Sequence, residues 1–178
     1  MCAGQGRDVI GVLAGHPRRD DVSALLAELD QATVDTGRDL AAAAGLTRVR
    51  FVVGDAARTD LYRDSTPADI VLVCGVFGNI ITAADVHRAI GVLPQLCAPG
   101  AAVIWTRGRR GLTNPVPDIQ DWFAEAGFTE RDFHASSAGF TVGRHDYTGP
   151  TQRRTAGQSM FDFIGYDELH GIAGIWSR

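Results

Sequence analysis

Apolar runs that alternate with helical stretches, each run closing on a glycine or an acid, constrain this chain more than any other feature of it. "SALLAELD" (23–30) ends in acids, and "RVRFVVGDA" (48–56) is β-branched and closes on Gly54 and Asp55. "ADIVLVCGVFGNI" (68–80) has Val71, Leu72 and Val73 at its centre and leaves through glycines, and "PGAAVIWTR" (99–107) follows a Pro99–Gly100 turn. Short runs this apolar suit strands buried on both faces, as in a parallel sheet. Between them "QATVDTGRDLAAAAGL" (31–46) is alanine-rich and helical, with Gly45 as its stop. "TAADVHRAIGVLPQLC" (82–97) reads as a helix with Thr82 and Asp85 as a capping box and Pro94 kinking its end. Val9 to Ala14 and "PDIQDWFAEAGF" (117–128) read as two shorter helices. "TERDFHA" (129–135) and "GFTVGRHDY" (139–147) read as an antiparallel hairpin around "SSAG", and "SMFDFIGY" (159–166) as one more strand. The expected fold is α/β: a doubly wound, mostly parallel sheet with a C-terminal antiparallel hairpin, in a single domain spanning 1–178.

Composition narrows the chemistry. The chain is 45% hydrophobic and 21% charged with a net charge of −4, which gives no general attraction to nucleic acid or an anionic membrane. No run has membrane-spanning length and no signal-peptide pattern opens the chain, so a cytoplasmic location is expected. All 17 basic residues are arginine. That excludes a lysine Schiff base, a pyridoxal phosphate anchor and a Walker-type lysine. Cys2, Cys74 and Cys97 lack metal or disulfide spacing, and Cys74 and Cys97 read as buried thiols.

In such sheets ligands bind beyond the carboxyl ends of the strands. That rule selects the loop at Gly4 and Gly6, the acids at Glu28 to Asp30, Asp55, the Gly75 to Asn79 turn, and Thr106 to Arg110. Gly4 and Gly6 let a ligand approach the backbone where a Cβ would collide. Glu28 can accept two ribose hydroxyl protons, and Asp55 can accept from an exocyclic amine such as that of adenine. Together they describe a site for an adenosine moiety.

In these residues the chain resembles the class I S-adenosylmethionine-dependent methyltransferases over nearly its whole length, which implies a Rossmann-like fold. "CAGQG" is similar to the family's glycine motif, with Cys2 at the usual first glycine. "AELDQATVDTGRDLAAAAGL" resembles the motif ending the second strand, and "VRFVVGDA" the third. "WFAEAGFTERDF" resembles the entry to the closing hairpin. The resemblance implies S-adenosylmethionine as cofactor, held by Cys2, Ala3, Gly4, Gln5, Gly6, Glu28, Leu29, Asp55, Ala56, Cys74 and Gly75. It implies methyl transfer to a small-molecule acceptor with no metal, and names no catalytic residue. The exit "CGVFGNI" lacks the Asn/Asp-Pro-Pro-aromatic motif of enzymes acting on planar amines and the metal-binding aspartates of a catechol-type group. Two alternatives stand beside it: an inactive cofactor-binding relative or partner subunit, and a nicotinamide-dependent Rossmann oxidoreductase. The latter's third glycine would fall at Val9.

One departure carries its own expectation. Family members have a strand before the glycine motif, central in the sheet between the second and fourth, and here Met1 stands where it should finish. The chain is therefore expected to lack its first strand and to bind the cofactor weakly. Each dry, unpaired backbone group left behind would cost about 1–3 kcal/mol.

The remaining candidates have blander expectations. Asn79 reads as a turn residue with positive φ rather than a substrate contact. Phe77 reads as core, the Arg107, Arg109 and Arg110 cluster as a solvated loop rather than an anion site, and His87 as a surface histidine. His134 and His145 read as hairpin residues without a chemical role, and Asp8 as a helix-dipole partner.

Overall fold

A computed structural model describes residues 1–80, 82–108, 115–137 and 139–163 of the chain. Helix α1 (Arg7–Ala14) opens from the glycine loop and is followed by β1 (Ala24–Glu28), α2 (Gln31–Ala43) and β2 (Val49–Val53). Then come β3 (Ala68–Val73), α3 (Ala83–Val92), β4 (Cys97–Gly108), α4 (Val116–Glu125), β5 (Phe128–Ala135) and β6 (Phe140–Tyr147). The expected alternation is present, and short polar side chains cap two of the helices. Asp30 accepts from the Thr33 amide at 2.7 Å to start α2. At α3 the Asp85 amide donates to Thr82 Oγ1 at 3.1 Å while that hydroxyl donates to Asp85 Oδ2 at 2.8 Å. Beyond Val92 a 3-10 turn over Leu93–Leu96 begins around Pro94, whose missing N–H ends the α-helical pattern.

The strands form two ladders. β1 pairs with β2 in parallel, and a separate sheet runs β3-β4-β6-β5. In it β3 and β4 are parallel, while β6 is antiparallel to both β4 and β5. The closing hairpin is thus as expected. Pro99 and Gly100 do not turn into β4 but lie within it. Ala68 pairs with Cys97 and Ile70 with Ala102, so the extra residues bulge out and Gly100 takes a φ of 81°. "SMFDFIGY" makes no strand in its described part: Ser159 and Phe163 form isolated bridges to Arg58 and Ile80, and residues 164–166 lie outside the described residues.

The apolar core divides with the ladders. Ile10, Leu13, Leu26, Val34 and Phe51 form one cluster around β1 and β2. A larger one surrounds β3 and β4 and centres on Trp105, Phe77 and Phe123. No helix among the described residues is long and apolar enough to cross a membrane.

The hairpin is pinned to that larger core through His145, which the sequence left without a role. Its ring is buried, stacks on Phe123 at a centroid distance of 4.3 Å, and accepts from Trp105 Nε1 through Nδ1 at 3.2 Å. Gly143 makes room for the indole: a Cβ there would stand 2.4 Å from Trp105 Cε2. Burial lowers the pKa of His145 from 6.5, although Glu130 and Asp146 act in the opposite direction. A depressed histidine pKa means the unfolded chain binds the proton first. Stability is therefore complete above the unfolded value and falls as pH drops below about 6.5. Urea denaturation at pH 7.5 and 5.0 should show this loss, and His145→Asn, which keeps an acceptor for the indole, should show a smaller one.

Candidate functional site

The glycine loop is the hub of the rim where the strands end. Gly6 caps α1 at a φ of 65°, and a Cβ there would lie 2.4 Å from Leu26 Cδ2 and 2.8 Å from Phe51 Cζ. Its smallness therefore serves the seating of the loop on β1 and β2. Gly37 in α2 meets the same ring, with a Cβ position 2.4 Å from Phe51 Cε1. The Phe51 ring thus requires two glycines, one of which the sequence reading missed. Gly4 is different. Its φ is 53° and a Cβ built there would meet nothing within 4 Å, so its backbone faces open space.

Cys2 stands where the resemblance places a glycine, and it has a φ of 48°, the one positive value found for a non-glycine among the described residues. A side chain in that region costs about 1–3 kcal/mol. Its thiol is pushed up to about 12, first by burial and then by the charges of Glu28 and Asp55, so it is neutral and no nucleophile near neutral pH. The Gly4 amide donates to Glu28 Oε2 and the Gly54 amide to the Glu28 carbonyl, both at 2.9 Å, so the ends of β1 and β2 meet at this loop.

Glu28 is held firmly. Oε2 accepts from the Gly4 amide at 2.9 Å, and Oε1 from the amides of Leu29 and Asp30 at 2.8 and 3.2 Å. A carboxylate has about four acceptor positions, so one remains for a further donor. Asp55 is exposed and accepts from the Ala57 amide through Oδ1 at 2.9 Å. Its Oδ2 has no hydrogen-bond partner among the described residues. Leu29 projects into solvent at 71% exposure, whereas Ala56 is buried and its carbonyl accepts from the Tyr62 hydroxyl at 2.7 Å. Ala3 donates its amide to Ala27 at 2.9 Å, and Gln5 Oε1 accepts from Arg7 Nε at 2.7 Å.

The third arm of the rim is the exit of β3. Gly75, exposed at a φ of 72°, donates its amide to Thr106 Oγ1 at 2.9 Å, a contact that ties the β3 exit to β4 and that the sequence did not single out. The pKa of Cys74 is raised, mainly by burial and also by the Asp8 charge. Asn79 has no positive φ. Instead Nδ2 donates to the Gly75 carbonyl at 2.7 Å, which braces the turn. Phe77 is core, and Arg107 is bound rather than solvated, donating to the Phe77 carbonyl. Arg109 and Arg110 lie outside the described residues. His87 is remote from the rim, stacked on Trp122 and 3.0 Å from Glu125 Oε2. Among the described residues no His, Cys, Asp or Glu cluster has the geometry to hold a metal.

The glycines separate by substitution. Gly6→Ala should cost about 2–4 kcal/mol from clash and strain together, and Gly4→Ala only about 1 kcal/mol, read by urea denaturation. Cys2→Gly should be about 1 kcal/mol more stable than Cys2→Ala, because only the glycine relieves the backbone.

An adenosine fits what this rim offers: open backbone at Gly4 and Gly75, and a remaining acceptor position on each of two carboxylates. A family model described as "Putative methyltransferase" matches residues 1–109. Among solved structures, an O-methyltransferase family protein from Burkholderia thailandensis is 20% identical with a TM-score of 0.64, the match covering 83% of this chain and 49% of that one. N,N-8-amino-8-demethyl-D-riboflavin dimethyltransferase from Streptomyces davawensis is 23% identical with a TM-score of 0.59, covering 83% and 48%. A TehB-like SAM-dependent methyltransferase from Corynebacterium glutamicum is 18% identical with a TM-score of 0.60, covering 83% and 77%. These identities show a shared fold, and the chain spans about half the length of the first two. No curated protein matches the chain. By its match over residues 1–109, the chain belongs to the family described as "Putative methyltransferase", and it shares the fold of these solved methyltransferases.

Proposed function

We propose that the chain holds S-adenosylmethionine at the glycine-loop rim and methylates a small-molecule acceptor. The observation that carries this reading is the Glu28 carboxylate bound to the Gly4 amide at 2.9 Å, with the Gly54 amide on the Glu28 carbonyl setting Asp55 next to it, beside the open side of Gly4. Gly4 and Gly75 admit the cofactor's close approach, Glu28 accepts from ribose hydroxyls, and Asp55 Oδ2 accepts from the adenine amine. Asp8 supplies a negative charge on the same rim, favourable to a cationic sulfonium. When bound, the cofactor supplies a methyl group already activated on that sulfonium. The chain's own work is then alignment of the acceptor and exclusion of water.

A cavity of about 450 Å³ supports a small acceptor. It is lined by Pro115, Val116, Pro117, Phe133 and Thr141 and begins at Arg107, the neighbour of the Thr106 that braces Gly75. Its mostly apolar lining with few polar groups is of the kind that takes an organic molecule.

Titration calorimetry with S-adenosylmethionine tests the reading. Glu28→Gln and Asp55→Asn, which keep an acceptor for their backbone partners, should each weaken binding about tenfold to a hundredfold. Unchanged affinity in both variants would place the cofactor elsewhere. Binding without methyl transfer to any acceptor in a lysate given labelled donor would favour the partner-subunit alternative.

A further inference from the structure

After β6, residues 154–163 run back as a strap across two arms of the rim, first over the loop leaving β2 and then over the turn leaving β3. The Met160 amide donates to the Ala57 carbonyl at 2.9 Å, and the Thr59 amide donates to the Gln158 carbonyl at 3.1 Å. Between those bonds Ser159 forms an antiparallel bridge with Arg58. Further on, Phe163 bridges Ile80 beyond β3. β2 and β3 belong to separate ladders, so the strap pairs with a connection from each.

Buried groups hold it there. Met160 and Phe161 are 0% and 2% exposed and enter the larger core cluster with Ala56, Ala57 and Ile80. Thr59 is wholly buried, and its Oγ1 donates to the Thr155 carbonyl at 2.9 Å. Asp60 takes two donors from the strap, Arg154 Nη1 on Oδ1 and the Gly157 amide on Oδ2, the latter at 2.7 Å. Gly157 reaches that carboxylate from a φ of 72°, which glycine adopts without strain. The Arg154 contact first, and then the Gly157 bond, hold the Asp60 carboxyl below its ordinary pKa, so it is charged at neutral pH. A trailing segment frays unless it is tied down, and this one is tied along its length.

The backbone under the strap is the backbone that aims Asp55. The Ala57 amide donates to Asp55 Oδ1 at 2.9 Å, and the Arg58 amide donates to the Asp55 carbonyl at 3.0 Å. Ala57 is thus bonded to Asp55 through its N–H and to Met160 through its carbonyl, and turning the loop breaks one bond or the other. We propose that the strap positions Asp55 for the exocyclic amine of the adenine, with Asp60 and the Met160 amide as positioning groups that touch no ligand. The inference rests on the proposed adenosine site and adds that its base selectivity is set by a segment distant in sequence. With the strap seated, Oδ1 is committed to Ala57 and Oδ2 remains for the amine. With it loosened, the carboxylate turns with its loop and accepts from water as readily as from adenine.

The test compares the unaltered chain with Asp60→Ala and with a chain carrying an ester in place of the Ser159–Met160 amide. The ester removes the Met160 N–H and keeps every side chain, so it serves even if Asp60→Ala does not fold. Amide hydrogen exchange without ligand reads the loop. The Ala57 and Arg58 amides should exchange about tenfold faster in both altered chains, while Val71 and Val73, paired with β4, change little. Calorimetry with S-adenosylhomocysteine and with S-inosylhomocysteine, which has a carbonyl in place of the amine, reads the base. Affinity for the adenosine compound should fall about tenfold and that for the inosine compound less than about twofold, because only the first uses Asp55. Equal losses for the two compounds would make the strap a structural support and overturn the proposal. Unchanged exchange at Ala57, or an unchanged preference for adenosine, would overturn it as well. An unaltered chain that binds neither compound contradicts the adenosine site itself and the proposal with it, and exchange at Ala57 then shows separately whether the strap holds the loop.

Discussion

Phe51 fixes the geometry on which the rim depends. Its ring fills the space below the glycine loop and beside α2, and both elements must present glycine to it, at Gly6 and Gly37. Any side chain at either place would displace the loop from β1. With the loop seated, the Gly4 amide falls within 2.9 Å of Glu28 and Ala3 within 2.9 Å of Ala27, so the start of the chain is registered against the end of β1. Packing thus precedes chemistry: an aromatic ring and two missing methyl groups decide where a carboxylate and an open stretch of backbone meet.

The rim that results is polar and acidic but well satisfied. Glu28 already accepts three amide protons, and Asp55 one, so their carboxylates are oriented before any ligand arrives. Such preorganisation lowers the ordering cost of binding. The thiols of Cys2 and Cys74 are kept neutral by burial and by the surrounding acids, which leaves no competing thiolate at the rim where we propose the cofactor binds.

Much of this was legible in the sequence because it is local. Runs of β-branched residues closing on glycine or acid gave β2 and β3, the Thr82–Asp85 spacing gave a helix start, and the segments around "SSAG" gave the hairpin. Other features depend on partners distant in the chain, and no local pattern carries them. Gly4 and Gly6 look alike in sequence, yet one faces open space and the other two core side chains. Pro99–Gly100 resembles a turn, but pairing with β3 on either side of it makes it a bulge. His145 alternates with neighbours in an ordinary strand, and only its meeting with Trp105 and Phe123 gives it a structural role. The division of the sheet was expected from the family's strand order, not from any property of the residues of β1 and β3.

The central claim is that three strand ends converge on one adenosine site. Amide chemical shifts during titration with S-adenosylhomocysteine, which retains the adenosine and lacks the reactive methyl, test it most directly. The account predicts that Gly4, Leu29, Asp55 and Gly75 shift together along one binding curve while the β5–β6 hairpin stays still. Shifts confined to the hairpin and α4, with the glycine loop unmoved, would contradict it.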